Sequence, residues 1–315
     1  MTLLLWAQHT QSLDAGRRLT GSYARVIEEQ TTRTIQTIDE RLQLAALGYA
    51  QLAADGTPPE ATARAFLRSQ ARLLPFVRAI WMTDATGTMR FDSDSVKLGI
   101  DVSDRDYFTV FRGNPQLAFS VANPIRSRTD GSWLLSASRP IRAADGSFAG
   151  VIVAAIRLLY LDDLWRTLDL GANGAVSLVR VDGTMLMRSP FDSLAVGQNF
   201  SAHSSFTAIR AASSGHYGLV SPVDGIERDV AFRHLALLPD IAVLVGQSYD
   251  AIIAPWRRFA LFVLLGWGLA AAATAAWAGT ATMAPEAPRT RRRSPVGRRR
   301  TTVTMVSPIA VRFTP

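Results

Sequence analysis

The chain of 315 residues contains no cysteine. Disulfides, thiolate metal ligands and cysteine nucleophiles are thereby excluded, and the redox compartment is left open. Lysine is nearly missing: Lys97 stands alone against 33 arginines. With so much alanine this points to a GC-rich genome, so an isolated arginine carries little weight by itself. Histidine is sparse, and His9, His203, His216 and His234 have no spacing that would gather them on a metal. There is no Walker loop, no Gly-x-Ser-x-Gly elbow and no His-Glu-x-x-His pair. The expectation is a protein without metal, cofactor or catalytic activity. The acids Asp162 and Asp163 in "YLDDLWRTL" read as a solvated helix start, because adjacent helical side chains diverge.

The net charge of +8 is concentrated at one end. Residues from Pro285 onward hold eight Arg and one Glu, whereas the preceding 284 residues hold 26 basic and 25 acidic groups. A body so balanced is no polyanion binder by charge. The run "APRTRRRSPVGRRR", residues 287–300, has no interleaved aromatics, so no nucleic-acid partner is expected. It follows a long apolar stretch instead. "FALFVLLGWGLAAAATAAWA", Phe259 to Ala278, carries no formal charge over twenty residues, about 30 Å of helix and enough to cross a bilayer. Trp256 and Trp277 stand near its ends, where interfacial aromatics belong. A membrane helix is expected over 257–278, followed by a basic, disordered cytoplasmic tail over 279–315. The preceding residues would then lie outside an inner (cell) membrane. At the start, the apolar run Leu3–Ala7 is too short for a span or a signal core. Residues 1–7 therefore read as the remnant of a first membrane helix, with the true start upstream.

Between these ends the pattern changes twice. From Gln8 to Ala54 it is helical: Ile35, Ile38, Leu42, Ala45, Tyr49 and Leu52 recur at spacings of three and four and form one apolar stripe. That stripe could pack on its own domain or on a second copy in a homodimer. "DGTPPE" breaks the helix, and another begins at Glu60 and runs to about Leu74, so 8–74 reads as a long helix followed by a second one. Strands follow, with a weak internal repeat. "RAIWMTDATGTMRFDS" and "GAVSLVRVDGTMLMRS" each read strand, Asp-Gly-type turn, strand. They are followed by "KLGIDVSDRDYF" and "AVGQNFSAHSSF". Asp145-Gly146 and Asp224-Gly225 mark further hairpins. The expected fold is α+β, with two tandem antiparallel-sheet lobes over 75–160 and 161–252.

This order resembles the double Cache sensors, also called PDC or PAS-like sensors. These are extracytoplasmic input domains of bacterial histidine kinases, diguanylate cyclases and chemoreceptors. The resemblance rests on "DVSDRDYFTVF" (Asp101–Phe111), "GSWLLSASRPIRAADGSFAGVIVAAI" (Gly131–Ile156) and "LGANGAVSLVRVDGTMLMRSP" (Leu170–Pro190). It implies signal transduction by a small ligand held in the membrane-distal lobe, 75–160. It further implies that Arg105 and Tyr107 in "DRDYF" match an arginine and an aromatic that bind ligand in amino-acid-sensing relatives. A guanidinium can hold a carboxylate through two hydrogen bonds, and aromatics can wall the cavity. A surface salt bridge from Arg105 to Asp101 or Asp104 is the plainer alternative. Trp133, Ser136 and Ser138 lie on "SWLLSASRP", and period two puts both serines on one face, which is either pocket or solvent. Asn123 and Arg126 on the preceding segment complete the candidates. One departure stands out: where amino-acid-binding relatives place an aspartate, this strand reads "GVIVAAI" without an acid. A carboxylate or other small anion, or no ligand at all, then fits better than an α-amino acid.

Only 37 residues follow Ala278, and they hold no cyclase, kinase or chemoreceptor motif. Two expectations result. One is a membrane-anchored sensor without its own output; the other is a truncated or frameshifted diguanylate cyclase or sensor histidine kinase.

Overall fold

The computed structural model describes residues 2–53, 56–128, 131–143 and 145–282. The chain divides into two compact units, residues 1–261 and 262–315. Of the tail expected over 279–315, residues 283–315 lie outside the described residues.

The first unit opens with one helix, α1 (Thr2–Leu52), continuous through the position where a membrane-helix remnant was expected to end. Its stripe of Ala24, Ile27, Ile35, Ile38, Leu42 and Ala45 is buried, and Tyr49 packs against the same core. Leu52 departs from expectation: as the last helical residue it is 39% exposed. Helix α2 (Glu60–Ala71) adds Ala63 and Leu67 to that core.

Two antiparallel sheets follow. The first comprises β1 (Val77–Thr83), β2 (Met89–Asp92), β3 (Ser120–Val121), β4 (Ile125–Arg126), β5 (Trp133–Arg142) and β6 (Phe148–Arg157). Its order is β2-β1-β6-β5-β3, with β4 also on β5. Helix α3 (Asp106–Gly113) packs on β5 and β6. Helix α4 (Leu158–Trp165) leads to the second sheet. Here Asp162 corrects the solvated reading: it is buried and pairs with Arg166 at 3.2 Å, while Asp163 is exposed. The second sheet holds β7 (Ala175–Arg180), β8 (Met185–Ser189), β9 (Ser214–Val220), β10 (Glu227–His234) and β11 (Ile241–Ser248), in the order β8-β7-β11-β10-β9, with α5 (Ser205–Ala211) packed on β9.

The two sheets are built alike, down to single bonds. Thr83 pairs with Met89 across the first hairpin and Val179 with Met185 across the second, each at a bulge. The bridge Thr88–Asp101 has its counterpart in Thr184–Asn199. The Met89 and Met185 N–H groups donate to the Ile100 and Gln198 carbonyls. Gly87 and Gly183 turn the hairpins at φ +91° and +101°. A Cβ on either would lie within 2.7 Å of a backbone atom of Ser103 or Ser201, so glycine is required by both backbone angle and space.

Strand alternation gives each sheet two buried faces. One face of each joins a single core along α1 and α2: Ile80, Met82, Leu135 and Ile152 from the first sheet, Leu178, Val243 and Val245 from the second. The other faces carry separate clusters beneath α3 and α5. Between the sheets, Arg180 on β7 donates through Nε to Asn123 Oδ1 (3.2 Å), through Nη2 to the Val121 carbonyl (2.7 Å), and pairs with Asp240.

Helix α6 (Tyr249–Thr282) closes the described chain. Among the described residues it is the one helix long and apolar enough to cross a membrane, over Tyr249–Trp277, and none of its most apolar stretch is buried. Within the first unit its start touches that of α1: Trp256 Nε1 donates to the Leu5 carbonyl (2.9 Å), with the His9 ring 5.2 Å from the indole.

Candidate functional site

The face of the first sheet turned away from α1 supports a cleft. Its lining follows from the alternation. Trp81 on β1, Met89 and Asp92 on β2 and Leu134 on β5 all point to that side. The loop before α3 brings in Ile100, Val102 and Arg105, and α3 itself brings Tyr107. The segment around β4 closes the rim with Arg126 and Arg128.

Four arginines therefore meet one carboxylate. Arg128 is engaged: its Nη2 pairs with Asp104 at 2.7 Å and its Nη1 donates to the Asp101 carbonyl. Arg78 reaches the Ser127 and Ser132 hydroxyls and lies 4.0 Å from Asp94. Arg126 lies over the Trp133 ring, 4.9 Å from its centroid, a cation–π contact. The Arg105 side chain has no hydrogen-bond or ion-pair partner among the described residues; the salt bridge to Asp104 belongs to Arg128. Tyr107 stands edge-on to Trp81 at 5.7 Å. Burial pushes its hydroxyl up to about 12, although the charge of Arg105 pulls the other way, so the phenol stays a neutral donor at physiological pH.

Asp92 is the acid that the sequence did not single out. It is 1% exposed, and its Oδ1 accepts the N–H groups of Asp94 (2.7 Å) and Ser95 (3.1 Å). Burial raises its carboxyl above the ordinary value even so. The signal available in the sequence was its place in the repeat, where "TMRFDS" aligns with "TMLMRS".

The other candidates are dispersed. Ser136 and Ser138 face the same side as Leu134, deeper under α3; Ser136 Oγ is buried without a partner among the described residues, and Ser138 Oγ reaches the Ser120 carbonyl at 3.5 Å. Trp133 packs with the core along α1 and offers Arg126 only its ring face. Asn123 is held between Asp106 (3.3 Å) and Arg180. On β6, Val151, Val153 and Ala155 face the cleft side and bring no acid.

A model of the Cache domain family matches residues 6–256. No curated protein matches the chain. Among solved structures, the extracellular domain of rpHK1S-Z16, assigned as a histidine kinase, is 30% identical with a TM-score of 0.69, covering 78% of this chain and 99% of that one. The ligand-binding domain of the Pseudomonas fluorescens chemoreceptor CtaA, solved with L-isoleucine, is 19% identical with a TM-score of 0.58, covering 78% and 98%. The periplasmic sensory domain of the Campylobacter jejuni chemoreceptor Tlp1 is 12% identical with a TM-score of 0.62, covering 76% and 96%. The last two likenesses concern the fold.

Proposed function

Since the chain belongs to the Cache domain family, we propose that it is the signal-input part of a receptor, a sensor and not an enzyme. It takes a small carboxylate or other small anion in the cleft of its first lobe, residues 75–160. The observation that carries this reading is the Arg105 side chain, which lines the cleft beside Tyr107 with no hydrogen-bond or ion-pair partner among the described residues. A half-buried guanidinium at a cleft gains most from a ligand that brings the missing charge in bidentate geometry. Arg105, Tyr107 and Arg126 would contact the ligand directly. Ser136 and Ser138 would shape the floor, with Trp133 and Asn123 holding the rim in place.

In this reading α6 crosses the cell membrane, with the lobes extracytoplasmic and the later residues cytoplasmic. Its apolar length and unburied surface support that topology. Ligand binding would shift α1 against α6 at the Trp256–Leu5 contact. Leu19, Val26, Leu44 and Leu47 of α1 are exposed, which supports a second copy packing along this helix as a homodimer. No nucleic acid enters the mechanism.

A second reading has one observation in its favour. Asp92 lines the cleft and could receive an ammonium, as an amino acid would require. Both readings are tested by thermal shift of the full-length chain in detergent micelles, since a ligand that binds only the folded state raises the midpoint. Isoleucine is set against 3-methylpentanoate, which lacks the amino group. Stabilisation by the second compound alone, lost in Arg105→Ala, supports the anion reading. Stabilisation by isoleucine alone supports the amino-acid reading, and neither compound acting counts against this pocket for both.

A further inference from the structure

The second lobe has a cavity of its own in the place where the first has its cleft. It lies on the face of the sheet turned away from α1, over Val179, Val230 and Leu244, with Met185 from β8 and Phe200 and Phe206 closing it from the α5 side. Most of this wall is apolar. Ser177, Ser205 and Ser221 also line it, and two further polar features stand out.

The first is a charged corner. Arg188 and Arg228 are 7% and 3% exposed. Asp224 binds both: Arg188 Nη2 at 2.7 Å, and Arg228 through Nη1 at 2.8 Å and Nη2 at 2.7 Å. Arg228 is further occupied, donating through Nε to the Asn173 carbonyl at 2.8 Å. It lies across Gly246, where a Cβ would sit 2.9 Å from its Cδ. Arg188 has Asp224 as its one hydrogen-bond partner among the described residues, although its guanidinium borders the cavity. Asp192 acts on it only from a distance, its Oδ1 being taken by the Leu194 N–H at 2.8 Å. Two guanidinium groups against one contacting carboxylate leave one positive charge in a desolvated corner, a costly arrangement unless something answers it. Burial accordingly lowers the Arg188 pKa, with Asp224 opposing. The second feature is the Tyr217 hydroxyl, buried on the cavity without a well-formed hydrogen bond, the Ser205 hydroxyl being the polar group that acts on it.

We propose that this cavity is a second ligand site, distinct from the cleft at Arg105, and that it takes a small monocarboxylate with an apolar body. The carboxylate lies against Arg188, the hydrocarbon fills the space over Val179, Val230 and Leu244, and the Tyr217 hydroxyl is the second polar address. A monoanion matches the single uncompensated charge; a dianion would leave an unpaired negative charge in an apolar wall. The wall distinguishes this ligand from one suited to the first lobe, whose cleft is bordered by four arginines.

The two sites can be watched at once, because Met89 lines the first and Met185 the second. Full-length chain carrying 13C-methyl methionine, in lipid nanodiscs, is titrated with hexanoate, benzoate and phenylacetate to about 5 mM, enough to saturate a site with Kd of 1 mM or tighter. The two resonances are assigned with Met89→Leu and Met185→Leu, swaps that conserve volume. The expected result is a saturable shift of the Met185 methyl with at least one acid. Arg188→Gln should raise Kd about ten- to a hundredfold, as loss of a hydrogen bond to a charged group implies. Should that variant fail to fold, the wild-type chain decides with hexanamide, phenylacetamide and benzamide, which keep the body and remove the charge. Each should bind at least about tenfold more weakly than its acid. The proposal is overturned if Met185 stays still with every acid, if only Met89 responds, or if amides bind as well as acids. A response at Met89 alone would leave the first-lobe reading standing, so the two fail separately.

Discussion

The two lobes share a hairpin, a loop and a covering helix, yet they carry opposite charges at one equivalent position. In the first, β2 ends on Asp92; in the second, the matching residue of β8 is Arg188. Around Asp92 the lobe sets four arginines: Arg78 on β1, Arg105 before α3, Arg126 at the end of β4 and Arg128 just after it. In the second lobe, Arg105 and Tyr107 give way to His203 and Ser205, and the cationic role falls to Arg188 and Arg228. A fold of this kind keeps its turns and cores while exchanging the charges on one face of its sheet. The pocket's character resides in a few inward positions, not in the architecture.

The sharpest way to break the comparison is at the acids. Asp224→Ala would leave Arg188 and Arg228 facing each other unneutralised, and should cost about 3 kcal/mol in urea unfolding. No change to a carboxylate of the first lobe should match it, because among the described residues no single acid there holds two buried arginines. Next come the hairpin glycines. Gly87→Ala and Gly183→Ala should each cost about 2 kcal/mol, and by nearly equal amounts if the repeat is as close as its geometry. A gap of more than about 1 kcal/mol would mean that the turns are not energetically equivalent. Arg105→Ala should weaken an anionic ligand of the first lobe by about ten- to a hundredfold, read by calorimetric titration, and leave folding stability nearly unchanged because Arg105 has no partner to abandon.

The smallest effect is one of sign. Burial holds the Asp92 carboxyl above its ordinary value, so its contribution to stability is fully present below about pH 3.8 and is lost as pH rises through the raised value. For Asp224, burial would also raise the pKa, but Arg228, the Ser221 hydroxyl and Arg188 outweigh it and hold the carboxyl well below 3.8. Its contribution is present above that value and lost on further acidification. Asp92→Asn, which can still accept the Asp94 and Ser95 N–H groups, should therefore raise the melting temperature more at pH 7 than at pH 3.5. A gain of the same size at both pH values would show that folding leaves the Asp92 pKa unshifted.

Much of this was legible in the sequence because it is local. Asp-Gly turns, alternating strands and the Ile38–Leu42–Ala45 stripe announce themselves within a few residues. Tyr107 and Arg105 could be singled out because they sit together in "DRDYF". What stayed hidden depends on partners far along the chain. Asn123 looked like a ligand group until Arg180, 57 residues on, took it. Trp133 alternates with the serines as expected, but its face was decided by the core along α1. Asp92 and Arg188 are polar residues at strand ends, a pattern that usually means solvent. Their burial is set by loops and helices that close over them, so only alignment of the two hairpins against each other would have drawn attention to the position. Asp162 was misread for the same reason, its burial coming from tertiary packing and not from the helix's own pattern.

Helix α1, about 75 Å long at 1.5 Å per residue, bears on how the protein comes apart. One apolar core runs along it from the first sheet to the second, with Ile38 and Leu42 in the same cluster as Ile152 and Val243. Neither lobe can melt alone without stripping part of that helix and exposing its stripe to water. The unit of folding is thus the pair: calorimetry should show one endotherm, in which a lesion beneath the second sheet lowers the temperature at which the first is lost.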